Sequence, residues 1–263
     1  MKITVLCENG TVLPSLSCEH GLSLHVQRDR DTLLFDMGQS EIFAKNAKIL
    51  DVDLEKVDAA FLSHGHYDHG GGLDCFLKSN EKAPVYLANE AFGSYYSGSE
   101  RFIGLDKTLQ NEKRLIFCKD AVSPLEGLSF LPLNGRPLPE TFDQRMLQKK
   151  GADFFTDSFD HERYLLLQEG TKRVLIGGCA HKGILNLLEA FSPHVYIGGF
   201  HFMRTDPDTP HGRAVLLKAA EKMHQSGTLF YTGHCTGEAQ FAVLKDYLGN
   251  RLQKMHTGSV IEL

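Results

Sequence analysis

Apolar runs that end in a histidine recur along this chain, and they limit the folds it can adopt more than any other feature does. The runs DAAFLSH, RVLIGGCAH, VYIGGFH and TLFYTGH each have the length of a buried strand, and helical patterns follow several of them. In open α/β sheets, ligands bind at the carboxyl ends of the strands. The pattern therefore predicts an α/β protein, a four-layer αββα sandwich built from two similar halves, with a histidine-rich site along one edge.

The densest histidine cluster lies in SHGHYDHGGGL and comprises His64, His66, Asp68 and His69. Two histidines two positions apart can face one cation from a strand end or an extended turn, and Asp68 with His69 can face a second ion. Imidazole and carboxylate groups are the ligands of zinc-like and iron-like ions. We expect the three following glycines to allow positive φ and close backbone approach, while the chain bends into a helix at Leu73.

One such motif supplies about half of a two-metal site, so the other ligands must come from distant residues. His181 in GGCAHKG and His234 in YTGHCTG are the best candidates, because each follows a buried strand and lies among small residues. Cys179 is as compatible with a soft metal ligand as with a buried structural thiol. His201 in GGFHF is a candidate ligand, acid–base group or support for a ligand, and His161 in FDHERY is equally ambiguous.

The composition is that of an ordinary soluble enzyme, with 263 residues, 42% hydrophobic and 23% charged residues, and a net charge of −5. We therefore expect a small-molecule substrate and neither a nucleic-acid nor a membrane partner. The sequence shows no secretory signal and no apolar stretch of about 18 residues, and its six cysteines form no CxxC pair. These features predict a cytoplasmic protein with reduced thiols.

No linker divides the sequence, which predicts a single domain over residues 1–263. The segment 134–159 is rich in Pro, Gly, Lys and Asp and has weak periodicity. We predict a long loop or lid there.

Several motifs together resemble a known family. They are CEHGLSLHV, LLFDMGQS, SHGHYDHGGGL, GGCAHKGILN, IGGFHF and GHCTG. The set resembles the metallo-β-lactamase fold superfamily and, within it, the subfamily that contains the archaeal dihydropterin synthase of methanopterin biosynthesis.

The resemblance implies that His64, His66, Asp68 and His69 bind one or two divalent transition metal ions together with His234. Zinc is the first candidate, and iron or manganese are alternatives. One position departs from the family pattern, because Cys179 stands where most members have a bridging aspartate. His20 in CEHGLS is a further candidate for lining the pocket.

The chemistry that follows is hydrolysis of a small ester or phosphoester metabolite by a metal-bound hydroxide. Asp68 would bind metal and orient the nucleophile, and His201 or His161 would donate a proton. Two alternatives stay open. One is a dihydropterin synthase-like transferase that uses the metal as a Lewis acid, and the other is a non-enzymatic metal-binding or sensing protein.

Overall fold

Two antiparallel strands, Ser23–Gln27 and Thr32–Phe35, form a hairpin around the turn RDRD. Their apolar side chains, Leu24, Val26, Leu33, Leu34 and Phe35, are all buried. The structure, a computed structural model, describes residues 1–263. It separates the chain into two units. We call Met1–Asp120, Gln144–Arg163 and His256–Leu263 the first unit, and Ala121–Asp143 with Tyr164–Met255 the second unit.

The chain forms 17 β-strands and six α-helices. The strands are β1 (Lys2–Cys7), β2 (Ser23–Gln27), β3 (Thr32–Phe35), β4 (Ala59–Phe61), β5 (Val85–Ala88), β6 (Tyr95–Ser97), β7 (Arg101–Phe102), β8 (Leu115–Cys118), β9 (Leu128–Pro132), β10 (Met146–Lys150), β11 (Asp153–Thr156), β12 (Arg163–Glu169), β13 (Lys172–Ile176), β14 (Val195–Ile197), β15 (Leu229–Thr232), β16 (Leu252–Lys254) and β17 (Val260–Glu262). The α-helices are α1 (Ile42–Ile49), α2 (Tyr67–Gly70), α3 (Leu73–Ser79), α4 (Ile184–Phe191), α5 (Pro210–Gln225) and α6 (Glu238–Leu248).

The first unit contains a mixed seven-stranded sheet in the order β17-β1-β2-β3-β4-β5-β8. Strands β3, β4, β5 and β8 run parallel, which requires a crossover between each neighbouring pair, and α1 to α3 lie in the first two of these crossovers. Phe43 on α1 and Phe76 on α3 pack into the same buried cluster as Leu34 and Leu62. Burying each such side chain contributes about 1.5–3 kcal/mol.

The segment 134–159 is not the continuous loop that its weak periodicity predicted. Strands β10 and β11 form a hairpin within it and pair with β6 and β7 in a four-stranded sheet of the first unit. Most of the side chains of β10 and β11 are half-buried or exposed, so apolar alternation could not identify them. Movement of this segment as a lid stays a prediction, as does the single-domain organisation.

The second unit contains a six-stranded sheet in the order β16-β15-β14-β13-β12-β9. Strands β12 and β13 form an antiparallel hairpin, and β13, β14, β15 and β16 run parallel. A buried cluster that includes Leu187, Leu216 and Leu244 packs α4, α5 and α6 against the sheet. Both units are therefore mixed sheets with helices, as the α/β prediction requires.

Local sequence features account for both ends of helix α5. Thr209 caps its first turn by accepting a hydrogen bond from Gly212 N–H, 3.1 Å, and Pro210 occupies the first helical position. The helix ends at Gln225, and Gly227 follows with φ +74°, the left-handed conformation in which glycine carries no Cβ penalty. None of the helices has the length and apolar character needed to cross a bilayer.

Candidate metal centre

The predicted ligands of SHGHYDHGGGL follow directly on β4, in the first unit. His66 has extended backbone angles, φ −101° and ψ 148°, and stands at the N-cap position of α2, which contains Asp68 and His69. The ring centroid of His64 lies 4.5 Å from that of His66 and 4.1 Å from that of His69. All four side chains are buried. The turn therefore brings together three imidazoles and one carboxylate, as the spacing predicted.

Asp36 and Ser63 orient the imidazoles of His64 and His69 through hydrogen bonds. The buried Asp36 carboxylate accepts hydrogen bonds from Ser63 N–H (2.7 Å), from Ser63 Oγ (2.7 Å) and from His69 Nδ1 (2.7 Å). Because Ser63 Oγ donates to Asp36, it accepts from His64 Nδ1 at 2.8 Å. Both histidines are thereby held as Nδ1–H tautomers, and their Nε2 atoms carry the lone pair that a metal ion requires.

Asp68 lies between two imidazole nitrogens of the first unit. Its Oδ2 atom is 3.3 Å from His20 Nε2 and 3.9 Å from His69 Nε2. His20 is 39% exposed, whereas Asp68 is 12% exposed. His20, expected to line the pocket, thus connects the buried carboxylate to solvent. The loop that contains His20 is attached to the turn by the hydrogen bond from Leu22 N–H to the Asp68 carbonyl, 3.2 Å.

Burial keeps His66 in the neutral form that binds metals. Desolvation is the largest cause, and His161 is the next; together they lower the pKa of His66 to about 3. Neutral imidazoles and a carboxylate are the donors that Zn²⁺ and Fe²⁺ take. The donor set of the turn, with a hydrogen-bonded carboxylate behind it, therefore fits a divalent transition metal ion.

The three glycines of the motif act through close packing alone. Gly71 and Gly72 have φ −64° and −79°, so the expectation of positive φ is wrong. A Cβ on Gly71 would lie 2.4 Å from the Gln39 carbonyl oxygen, and one on Gly72 would lie 2.2 Å from that of Met37. The backbone of the turn packs so tightly on the loop after β3 that no side chain fits there.

His161 holds the turn and offers no lone pair to a metal. Its Nδ1 accepts a hydrogen bond from Gly65 N–H, 2.9 Å, so Nε2 carries the proton and donates to Asp157 Oδ2, 3.0 Å. Burial by itself would raise the pKa of Asp157, but the electrostatic interaction and the hydrogen bond with His161 lower it below its usual value. Tyr95 stacks on the imidazole at a centroid distance of 3.9 Å. We infer that His161 positions the ligands of the first unit.

The second unit presents its candidate residues at the ends of three adjacent parallel strands. Cys179, His201 and His234 follow β13, β14 and β15 respectively. Ala180, His201 and His234 have φ of +51°, +52° and +49°. A left-handed conformation costs a residue other than glycine about 1–3 kcal/mol and persists only where the surroundings impose it. Such strain is typical of functional loops.

The strand ends of the second unit bring two thiols and two imidazoles together. Ligand atoms of Cys179, His201 and Cys235 lie within 4.8 Å of one another, and the His181 ring lies 4.2 Å from that of His201. The Cys235 thiol also donates to the Cys179 carbonyl, 3.7 Å. Burial alone would raise the pKa of Cys235, but the Cys179 thiol and the nearby His201 and His234 imidazoles hold it well below its usual value.

Sequence reasoning missed the residues that support the ligands. Asp36 and Ser63 carry no local metal-binding pattern, although Asp36 directly follows a buried strand in LLFDMG. Cys235 is not among the ligands predicted from the sequence. The metal-binding roles of His181 and His234 and the acid–base role of His201 stay predictions.

Two archaeal proteins are similar to this chain over nearly its full length. A protein of Methanocaldococcus jannaschii named 7,8-dihydropterin-6-methyl-4-(β-D-ribofuranosyl)-aminobenzene-5′-phosphate synthase is 23% identical, over 93% of this chain and 90% of its own length. The uncharacterised protein MJ0448 of the same organism is 25% identical, over 98% of this chain and 99% of its own.

A solved structure and a protein-family model also match this chain. The crystal structure of Tm1679, described as a metal-dependent hydrolase of the β-lactamase superfamily, is 29% identical with a TM-score of 0.82, and the match covers 100% of this chain and 99% of Tm1679. The model of the metallo-beta-lactamase superfamily matches residues 17–181, more than half of the chain. This protein therefore belongs to the metallo-β-lactamase superfamily and has its α/β fold.

Proposed function

We propose that this protein is a metal-dependent hydrolase that acts on a small ester or phosphoester metabolite. The observation that carries the proposal is the buried set of His64, His66, Asp68 and His69, with Asp36 hydrogen-bonded behind it. A site built only for stability has no need of three buried imidazoles around one carboxylate. The 29% identity to a protein described as a metal-dependent hydrolase supports the same reaction class.

The four residues of the turn would hold one or two divalent ions, with zinc as the first candidate and iron or manganese as alternatives. Such an ion, when bound, makes water a nucleophile at neutral pH by lowering its pKa from 15.7 to about 7, and it polarises an ester or phosphoryl oxygen. Asp36 and Ser63 would keep His64 and His69 in the tautomer that binds the ion.

Asp68 is the residue of the first unit best suited to accept a proton. Its Oδ2 atom faces His20 Nε2 at 3.3 Å, so a proton taken up by Asp68 can pass to an imidazole that is 39% exposed to solvent. This arrangement supports the role of Asp68 as ligand, orienting group and proton acceptor.

Arg101 favours a substrate with an anionic group. Its guanidinium donates to the Tyr67 hydroxyl, 2.7 Å, and lies over the Tyr67 ring at 5.5 Å. Tyr67 stands between His66 and Asp68, so this cation is attached to the proposed ligand turn itself. Arg136 and Arg204 instead pair with Glu189 and Asp143. An arginine fork fits phosphate oxygens, which favours a phosphoester.

A chromogenic screen tests this function. The wild-type protein, loaded in turn with Zn²⁺, Mn²⁺ and Fe²⁺, is assayed with p-nitrophenyl phosphate, bis(p-nitrophenyl) phosphate and p-nitrophenyl acetate. We expect turnover of at least one phosphoester, abolished in Asp68→Asn while the folded state persists. Arg101→Gln should raise KM for phosphoesters and leave that for the acetate unchanged, and Arg136→Gln should change neither. Bound metal with no turnover would overturn the hydrolase proposal and favour a metal-binding or sensing protein.

A dihydropterin synthase-like transferase is the second candidate. The observation in its favour is the synthase name of the relative from M. jannaschii, which aligns over 93% of this chain. In such a reaction the ion would act as a Lewis acid on a phosphate or pyrophosphate leaving group. Phosphate release that requires a pterin-like co-substrate, with no hydrolysis of simple esters, would favour this candidate.

A further inference from the structure

We propose that Cys179, His201 and Cys235 form a metal site in the second unit, which binds a thiophilic divalent ion such as Zn²⁺ through two thiolates and one imidazole. The three residues all belong to the second unit, and their ligand atoms lie within 4.8 Å of one another. Their exposed fractions are 2%, 9% and 1%. Two sulfurs and one nitrogen are a common zinc donor set, with the fourth position left to another ligand.

His201 is the observation that points to an ion. Its side chain is buried, yet neither Nδ1 nor Nε2 has a hydrogen-bond partner of normal geometry. Buried polar groups in proteins are nearly always satisfied, because an unmet one costs about 1–3 kcal/mol. A bound ion would satisfy one ring nitrogen. Its backbone, at φ +52°, is also in a conformation that only its surroundings can impose.

Hydrogen bonds that do not involve an ion connect the loops that contain these residues. Gly199 N–H donates to the Gly178 carbonyl, 2.8 Å, and links the ends of β13 and β14. Phe200 N–H donates to Thr236 Oγ1, 3.0 Å, and links the ends of β14 and β15. Rigid strand ends of this kind are what a metal site needs, because the ligands must keep their geometry without the ion.

Gly199 makes room for the Cys235 sulfur. A Cβ at this position would lie 2.3 Å from Cys235 Sγ, closer than any real contact allows. The sulfur therefore packs directly on the β14 loop that carries His201. This position brings Cys235 to Cys179 and His201, whereas a thiol packed only as a small apolar group could occupy many other sites in the core.

The binding step conserves charge and protons. A divalent ion would displace the protons of the Cys179 and Cys235 thiols, which leave to solvent, and it would accept the lone pair of one His201 nitrogen. No oxidant or reductant is required. The proposed site shares no residue with the turn of the first unit and does not depend on the proposed hydrolase function. It would make His201 a ligand instead of the proton donor considered from the sequence.

Cobalt substitution in a protein that lacks ligands of the first unit tests the site. The double variant His64→Ala/His66→Ala, reduced and free of metal, is titrated with Co²⁺ under nitrogen. We expect one equivalent to bind with intense near-ultraviolet absorption from thiolate-to-cobalt charge transfer. Adding Cys235→Ser should abolish most of this absorption, and adding His201→Ala should weaken Co²⁺ binding at least tenfold. Cys118→Ser, at another buried free cysteine, is the matched control and should leave the spectrum unchanged.

A measurement on the unaltered chain covers the case in which a variant does not fold. With ¹¹³Cd²⁺ bound to the wild-type protein, we expect one resonance with the chemical shift of a two-thiolate site. A Cys235→Ser variant that keeps the full charge-transfer absorption would overturn the proposal. So would a ¹¹³Cd spectrum without a two-thiolate resonance, or a Cys179–Cys235 disulfide found by non-reducing peptide mass spectrometry of freshly purified protein.

Discussion

The two units position their histidines by different physical means. In the first unit, Asp36 lies behind His64 and His69 and fixes them through hydrogen bonds to Ser63 Oγ and His69 Nδ1. In the second unit, no comparable carboxylate contacts His201. Its orientation comes from a left-handed backbone and from the close packing of Cys235 on Gly199.

This difference indicates which substitutions should disturb the ligands of each unit. Charged hydrogen bonds set the tautomer and hence the affinity of the first set of ligands. In the second unit, backbone strain and close contact set only the positions of the proposed ligands. The thiols of Cys179 and Cys235 would bind an ion without a carboxylate hydrogen-bonded behind them. The sites should therefore respond differently to the same kinds of substitution.

Asp36→Asn should have the largest effect, and it should be confined to the first unit. The amide keeps the shape of the side chain but loses the charge that accepts three hydrogen bonds. We expect metal affinity of the turn to fall 10–100-fold and stability to fall by about 3 kcal/mol, as judged by competition with a chelator and by urea unfolding. The matched control is Asp58→Asn, an exposed carboxylate that accepts from Thr32 N–H, 2.9 Å. Equal effects in both variants would contradict the assigned role of Asp36.

A pair of glycine substitutions compares the two units directly. In Gly71→Ala the new Cβ meets two carbonyl oxygens at 2.4 and 2.5 Å, and in Gly199→Ala it meets the Cys235 sulfur at 2.3 Å. We expect each to cost about 1–3 kcal/mol in thermal unfolding. Only Gly199→Ala should alter the cobalt–thiolate spectrum.

Gly98→Ala is the control for this pair, because its Cβ would meet nothing within 4 Å and only its φ of +66° is strained. It should cost about 1 kcal/mol and leave metal binding unchanged. A normal spectrum in Gly199→Ala would mean that the contact with Cys235 does not set the site.

His161→Ala should separate a positioning residue from a ligand. Gly65 N–H loses its acceptor, so we expect a loss of about 1–3 kcal/mol in urea unfolding. The metal content of the purified protein, measured by plasma mass spectrometry, should not change. A control at His194→Ala removes an imidazole that also accepts a backbone N–H, from Arg173 at 3.0 Å, but near solvent. It should cost less than about 0.5 kcal/mol. Loss of one ion in His161→Ala would make His161 a ligand.

Asp157→Asn should have the smallest effect, and one that depends on pH. The pKa of Asp157 is lowered in the folded protein, so its charge contributes stability above its unfolded pKa of about 3.9. That contribution is lost as the pH falls through the lowered folded value. Urea unfolding from pH 7 down to pH 2 should therefore show wild type and variant converging in acid. A difference that is constant over this range would exclude the pairing with His161 as its cause.

Local sequence patterns were sufficient to predict the buried strands at the site and the type of its ligand residues. The buried strands β4, β13, β14 and β15 follow from short apolar runs, and the four residues of HxHxDH converge because they lie within one turn. The hairpin of β10 and β11 was missed because its side chains alternate little in burial, so its pairing with β6 decides its conformation.

The sequence by itself determined that imidazoles and a carboxylate stand at strand ends, and thus that a divalent metal is the expected ligand. Only the tertiary structure decided which nitrogen of each ring carries the lone pair. Ser63 and His69 reach Asp36 across 27 and 33 positions, and His161 reaches Gly65 across 96. Cys235 meets Cys179 across 56 positions. Contacts at such separations depend on how the chain packs, and no periodicity in the sequence records them.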